Sequence, residues 1–331
     1  MVYLNQGKNN NFNVPLLLIL FNRPQYIKES IDSINQINPS KLYIHIDGPR
    51  NADDKKKIEE IKTHFSNFEK TIEIKVLNQE KNLGCSLGVV TAIDWFFQNE
   101  EYGIILEDDL IPNFSFYYYC EKLLKKFQND QNVFMISGDN GGEIIPKDYF
   151  NEFDFIFAPV PLIWGWATWK DRWERYNYKI PDINPFKLFA LLNKFKLFER
   201  FIIIKYFYKI KNPQIFSSTW DILFFYTMVL SKMSCIIPRH NLIRNVGFDE
   251  QATHTKEETF RSNADTYDLE LKNFETINLS NEINSKIIYL ILTNLNRKVV
   301  HSNKIVKSRI LYLTSRFAYF FRVLKSKFGI E

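Results

Sequence analysis

Three carboxylates stand side by side at Glu107-Asp108-Asp109. They follow the apolar run Gly103-Ile104-Ile105-Leu106 and precede Leu110-Ile111-Pro112. A buried strand gains nothing in packing by ending in three acids, because adjacent like charges repel and resist desolvation. A divalent cation, Mn2+ or Mg2+, removes both costs, since hard cations take oxygen ligands and can bridge phosphates. A second carboxylate, Asp221 in Trp220-Asp221-Ile222, comes more than a hundred residues later. A lone acid of this kind can take a proton from an attacking hydroxyl. It is also an ordinary residue with which to cap a helix.

Several other residues could do chemistry, and each has a plainer reading. Arg23, in Asn22-Arg23-Pro24, could meet phosphate or sit at a helix start on the surface. Asp47, in Asp47-Gly48-Pro49, could accept a hydrogen bond from a base or serve only the turn. Arg244 could face a diphosphate or solvent. His254, in Ala252-Thr253-His254-Thr255, reads first as a loop histidine and second as a metal contact. Trp164, Trp166 and Trp169 could line a sugar pocket or fill the core.

The elements that must position these residues follow one pattern. The run 14–21 is short, continuous and apolar, which predicts a buried parallel strand. A helix is predicted over 26–37, a strand over 41–46, a helix over 53–65 and a strand over 71–76. A further helix over 86–97 leads to the strand 104–106 and the acidic triplet. This β-α-β-α-β-α-β order predicts a parallel sheet with ligands at the carboxyl ends of its strands. Arg23, Asp47, Asn82 and the triplet all fall at such ends. Beyond it, helices are expected over 114–127, 164–176, 185–211 and 220–231. Strands are expected over 133–137, 155–158 and 235–237, and 241–255 reads as a loop.

Composition narrows the class. The 331 residues are 45% hydrophobic and 24% charged, with net charge +5, which suits one large domain. The three cysteines, Cys85, Cys120 and Cys235, lie far apart, so neither a disulfide framework nor a zinc site is expected. The Asn-rich start, 1–13, reads as flexible and has no secretory leader pattern. The apolar runs 14–21 and 201–204 are too short to span a bilayer. Nothing in the pattern points to nucleic acid. Two stretches, 186–211 and 286–327, combine Lys and Arg with Phe, Leu and Ile. Both could be solvated helix faces, or could rest on anionic lipid at the inner face of a membrane. The expected setting is therefore the cytoplasm, with peripheral membrane contact.

The segment 104–117, IILEDDLIPNFSFY, resembles the metal-site region of GT-A glycosyltransferases, in particular the N-acetylglucosaminyltransferase I family. The likeness continues in order through FMISGDNGG (134–142), PLIWGWATWKDRW (161–173), TWDILF (219–224) and IPRHNLIRNVGFDEQATH (237–254). Bacterial family 2-like sugar transferases share this layout, over roughly 15–255. The resemblance implies a GT-A α/β fold with a mixed, mainly parallel sheet flanked by helices. It implies a catalytic domain over 14–280, with a nucleotide half (14–110) and an acceptor half (111–280). A basic helical tail (281–331) would follow.

The resemblance also implies a metal-dependent, inverting transfer from a nucleotide sugar, UDP-sugar favoured, to a glycan or lipid-linked acceptor. The transfer would serve surface polysaccharide synthesis. Asp109 would hold Mn2+ or Mg2+, with His254 a second metal contact. Glu107 and Asp108 would hold ribose or sugar hydroxyls. Arg23 would meet the nucleotide's phosphate or ribose, Arg244 the diphosphate, Asp47 the base and Trp166 the sugar, and Asp221 would be the general base. One departure stands out: the family's Phe-Gly turn is Gly247-Phe248-Asp249 here. Two other classes remain open. A non-catalytic sugar-nucleotide binder could use the same scaffold. A nucleotidyltransferase would normally carry a Gly-rich loop after the first strand, which ILFNRPQY lacks.

Overall fold

The fold was analysed on a computed structural model, which describes residues 12–142, 145, 147–150, 152–179, 183–193, 195, 197, 200–201, 203–204, 207, 220–247 and 264–272. The tail 281–331 and residues 1–11 lie outside this set. Phe12, within the start expected to be flexible, is packed, 3% exposed and bridged to Pro39.

The first half alternates strand and helix. β1 (Leu16–Leu20), β2 (Lys41–Ile46), β3 (Glu73–Asn78) and β4 (Tyr102–Glu107) are joined by α1 (Pro24–Ile37), α2 (Ala52–Thr63) and α3 (Gly84–Asn99). Pro24 sits in the first turn of α1, where its missing N–H costs nothing. Ile27, Ile31, Ile34 and Ile37 then form one buried stripe. Asn38 ends α1 in the left-handed region, at φ 47°. Every residue of β1 is buried, as befits a central strand covered on both faces.

The second half holds β5 (Leu110–Pro112), α4 (Phe114–Lys126), β6 (Val133–Ser137), β7 (Phe155–Ala158), β8 (Trp166–Trp169) and α5 (Lys170–Trp173). After these come α6 (Pro185–Leu191), α7 (Asp221–Leu230), β9 (Ser234–Pro238) and β10 (Ile243–Asn245). Eight strands form one sheet in the order β3-β2-β1-β4-β8-β6-β9-β7. The pairs β1–β2, β2–β3, β1–β4 and β6–β9 are parallel, while β8 runs antiparallel to β4 and β6, and β7 to β9. The carboxyl ends of β1, β2, β4 and β6 therefore share one edge. The chain moves outward from β1 to β3, then returns to the other side of β1 with β4. The order reverses there, which makes the gap between β1 and β4 the expected ligand crevice.

Apolar layers cover both faces of the sheet. One packs α1, α2 and α4 through Ile31, Ile61 and Leu123; the other packs α3 and α7 through Ile93, Phe96 and Phe224. Two expectations fail here. The stretch from Trp164 does not open a helix: Trp166–Trp169 is β8, inserted between β4 and β6, and only Lys170–Trp173 is helical. Its closely spaced tryptophans imitate a helical period, but pairing on both edges decides for strand. The expected loop 241–255 begins with β10, which pairs antiparallel with β5 as a separate small sheet. Of the long helix expected over 185–211, α6 covers Pro185–Leu191.

Arg172 shows how the second half is held together. It is 2% exposed and stacks over the Trp169 ring at 4.6 Å. Its Nη2 donates to the carbonyls of Gln128 at 2.8 Å and Asp130 at 3.1 Å, which follow α4, and its Nη1 pairs with Asp171. A planar fork spreads five donors in a fixed geometry, wider than the three of one buried ammonium. Arg172→Met is expected to cost on the order of 3 kcal/mol by stranding these carbonyls. Urea unfolding reads this directly, and an unchanged midpoint would contradict it.

Candidate functional site

The crevice is built first by Arg23, three residues beyond Leu20 at the end of β1. Its Nη1 donates to Asp108 Oδ1 at 3.0 Å and to Asp109 Oδ2. The bond crosses from the end of β1 to the end of β4, at the reversal point of the sheet. The Phe21 N–H adds a bond to Asp108 Oδ2 at 3.3 Å. Register places Glu107 opposite Ile19 of β1. Burial opposes the charge on Arg23, and Asp108, Asp109 and Glu107 more than restore it, so its pKa is raised.

The acids are the unstable part of this arrangement. Desolvation, then Asp109 and Asp108, push Glu107 up to about 8, with Arg23 opposing and Asp221 adding to the rise. Desolvation likewise pushes Asp108 up to about 6, and Arg23 again opposes. Three carboxylates thus face one guanidinium, and Glu107 meets no hydrogen-bond donor among the described residues. Among those residues no group of three or more His, Cys, Asp or Glu is arranged as a metal cage. The charge deficit nonetheless fits a divalent cation, which would supply what a single Arg23 leaves unbalanced.

Asp47 is placed at the same edge but is already engaged. Its Oδ1 accepts from the N–H groups of Gly48 and Leu83 at 2.8 Å each. Its Oδ2 accepts from Gly84 N–H and Asn82 Nδ2 at 3.0 Å each. Leu83 and Gly84 begin α3, and Leu83 offers no capping side chain of its own. Asp47 therefore caps α3 from a neighbouring strand, where its charge also suits the helix dipole. Gly84 takes φ +80° there, a conformation open to glycine. Desolvation raises the pKa of Asp47, and the backbone donors work against that rise. A nucleobase would have to share acceptors that the fold already uses.

Asp54 secures the loop beside Arg23. It accepts from Asn22 Nδ2 at 2.6 Å and from Arg50 Nε and Nη2 at 2.7 and 3.0 Å. Arg50 in turn lies over the Phe21 ring at 4.8 Å.

Two later segments complete the crevice. β10 lies along β5, and Val246 N–H donates to the Asp109 carbonyl at 2.9 Å. Gly247 then passes so close to Asp109 that any Cβ would collide with its carboxylate. Glycine is needed here for close approach. Asp221 opens α7 as its first helical residue, after Trp220. It is exposed, and its charge acts on Glu107, Cys85 and Tyr176. The structure thus brings Arg23, Glu107, Asp108, Asp109 and Asp221 into one electrostatic neighbourhood.

A family model for glycosyl transferase family 2 matches residues 16–207, more than half of the chain. The chain belongs to glycosyl transferase family 2. No curated protein matches it. Family membership together with the mixed, mainly parallel sheet makes this a GT-A α/β fold. The chain is a glycosyltransferase that takes a nucleotide-sugar donor and an acceptor. The matched span contains Arg23, Asp47 and the triplet, while Asp221 and Arg244 lie beyond it.

Not every expected residue of this family 2 glycosyltransferase reaches the crevice. Trp166, expected against the sugar, is 1% exposed and belongs to the core, stacked on Trp220 at 6.0 Å and beside Phe224 at 5.0 Å. Strand alternation turns it into the layer under α7. Arg244 pairs with Glu29 Oε2 of α1 at 2.5 Å, half-exposed, on the outer side of β10. His254 lies outside the described residues. Sequence reasoning overlooked Cys85, in the first turn of α3, whose thiol lies in the same field of charge. Desolvation, then Glu107 and Asp221, push it up to about 12.

The Arg50 bonds hold Asp54 down at about 2, against desolvation. A depressed carboxylate pKa contributes stability above the ordinary value near 4, which is lost as pH falls through about 2. Asp54→Asn is expected to lower stability by about 2 kcal/mol at pH 7. Its difference from the wild type should shrink toward pH 2, as followed by urea unfolding across pH. A difference that stays constant with pH would contradict the ion-pair account.

Proposed function

We propose that this glycosyltransferase moves a hexosyl or N-acetylhexosaminyl group from a UDP-sugar to a hydroxyl of a glycan or glycolipid. The reaction would invert the anomeric centre, depend on Mn2+ or Mg2+, and serve surface polysaccharide synthesis. One observation carries the reading: Asp221, from the second half of the chain, lies close enough for its charge to act on Glu107 at the sheet's reversal point.

Arg23 is the cation nearest the acids and would meet the donor's diphosphate. Glu107 and Asp108 would hold ribose or sugar hydroxyls. Asp109 would hold the metal, with His254 as a further contact; when bound, the cation offsets the charge of the departing diphosphate. Asp221 would accept the proton of the acceptor hydroxyl while its oxygen bonds to the anomeric carbon and the bond to the diphosphate breaks. The preference for uridine rests on the resemblance of Asp47 to a uracil contact, and the base would share acceptors that Asp47 also gives to α3. The nearby Gly247 backbone supports Asp109 as the residue over which the closing segment folds.

The acceptor side suggests contact with anionic lipid at the inner membrane face. Over 183–207 the chain turns Leu188, Leu192, Phe195, Ile203 and Phe207 inward and leaves Phe186 84% and Leu197 56% exposed. Between residues 183 and 211 the sequence has seven Lys or Arg and one acid, Glu199. Exposed apolar groups among basic ones suit a membrane interface. No helix among the described residues is long and apolar enough to cross one.

Thermal unfolding with a panel of UDP-, GDP- and TDP-sugars, each with and without Mn2+, is the first test. A UDP-sugar should raise the Tm most, and more with the ion, by mass action on the folded state. Asp109→Ala should remove the ion's share of that shift. Asp221→Asn should keep the shift and lose transfer by about 10²- to 10⁴-fold. Full transfer by both variants would refute the assignment, and donor binding without turnover over any acceptor would favour a non-catalytic binder.

Membrane contact has its own test. The full chain should sediment with phosphatidylglycerol vesicles and less with phosphatidylcholine alone. The double variant Phe186→Ser, Leu197→Ser should weaken that sedimentation several-fold. Undiminished binding by the variant would remove this surface from the account.

A further inference from the structure

The segment 173–178 touches both walls of the crevice without belonging to either. Trp173 Nε1 donates to Asp94 Oδ1 of α3 at 2.7 Å. The Tyr176 ring stacks on Trp173, centroids 4.7 Å apart and 13° from parallel. The Tyr176 hydroxyl donates to the Trp220 carbonyl at 3.3 Å. The Tyr178 hydroxyl donates to Ser86 Oγ, in the first turn of α3, at 3.0 Å. One short stretch thus holds the start of α3 and the start of α7.

The start of α7 needs such a hold. Its N-cap, Trp220, makes no side-chain capping bond. The Trp220 carbonyl accepts the first helical bond, from Phe224 N–H at 3.1 Å, and the Tyr176 hydroxyl uses its remaining lone pair. The Trp220 ring is 4% exposed and pinned on Trp166. With ring and carbonyl both fixed, the next residue, Asp221, has little freedom in where its backbone lies. Misplacing a reacting group by about 1 Å can cost about 100-fold in rate.

We infer that Tyr176 is a positioning residue: through the Trp220 carbonyl it sets Asp221 against the acidic triplet. The inference rests on the proposed role of Asp221 as base. Tyr176 touches no substrate in this scheme and works only through its neighbour. Its stack on Trp173, itself anchored to Asp94, gives the hydroxyl a fixed origin. Desolvation, then Tyr178 and Asp221, raise its pKa, so it remains a donor throughout the working range.

Tyr176→Phe removes the hydroxyl and keeps the stack. Transfer would be measured as UDP release from the UDP-sugar that stabilises the protein most, with acceptor, in wild type, Tyr176→Phe, Asp221→Asn and the double variant. The expected result for Tyr176→Phe is a kcat lower by about 10- to 100-fold. The donor KM should stay within about twofold, because the donor's own contacts are untouched. In the Asp221→Asn background the same change should add no further loss, since a residue acting through Asp221 has nothing left to position.

Two results would overturn the inference. One is full activity of Tyr176→Phe where Asp221→Asn is impaired. The other is an equal loss from Tyr176→Phe in both backgrounds, which would mark a general structural role even if the variant is less stable. Full activity of Asp221→Asn would instead overturn the base assignment, and the inference with it.

Discussion

Three adjacent carboxylates at the end of a buried strand cannot all remain charged without a counter-charge, and Arg23 provides only one. Its bonds to Asp108 and Asp109 join the ends of β1 and β4, the two strands between which the sheet reverses. The remaining imbalance falls on Glu107, which has no donor among the described residues and is pushed up to about 8. An arrangement designed for stability alone would not leave this charge unmatched. The imbalance makes chemical sense if the crevice is completed by a ligand that brings both negative phosphates and a positive ion.

Other parts of the fold keep that crevice open and in shape. Asp47 spends its acceptors on the start of α3, so one wall is fixed by a carboxylate from β2. Gly247 lets the chain after β10 pass directly over Asp109. Trp166, Trp220, Trp173 and Tyr176 form a stacked aromatic mass beneath Asp221. These contacts are packing, yet they set where the charged groups stand. Arg172, with its donors spread over carbonyls beyond α4, ties α5 to the loop between α4 and β6 within the second half.

Local patterns in the chain were enough for the nucleotide half. Runs such as Leu16–Leu20, buried on both faces, and turn residues such as Asp47-Gly48 carry their structure in a few neighbouring residues. The triplet's importance was also legible, because like charge after an apolar strand has no packing explanation. What stayed hidden was set by distant partners. Trp166 looked like a pocket wall because tryptophan suits sugar faces and cores alike; only its place between β4 and β6 decides. The pairing of β10 with β5 joins residues far apart in the chain, and three-residue strands leave no periodic trace. Asp47 was recognised as important for a reason other than the bonds it makes. Arg244 turned outward to Glu29 because strand alternation, which a loop assignment cannot supply, places it there.

The central claim is that the Arg23–carboxylate junction receives a nucleotide diphosphate together with a divalent ion. A crystal grown with UDP and Mn2+, with data collected at the manganese absorption edge, tests it most directly. The account predicts an anomalous peak bound by Asp109 and bridged to the diphosphate, with the Arg23 guanidinium turned toward phosphate oxygen. Ordered UDP elsewhere on the protein, or UDP at the junction with no manganese peak beside Asp109, would contradict it.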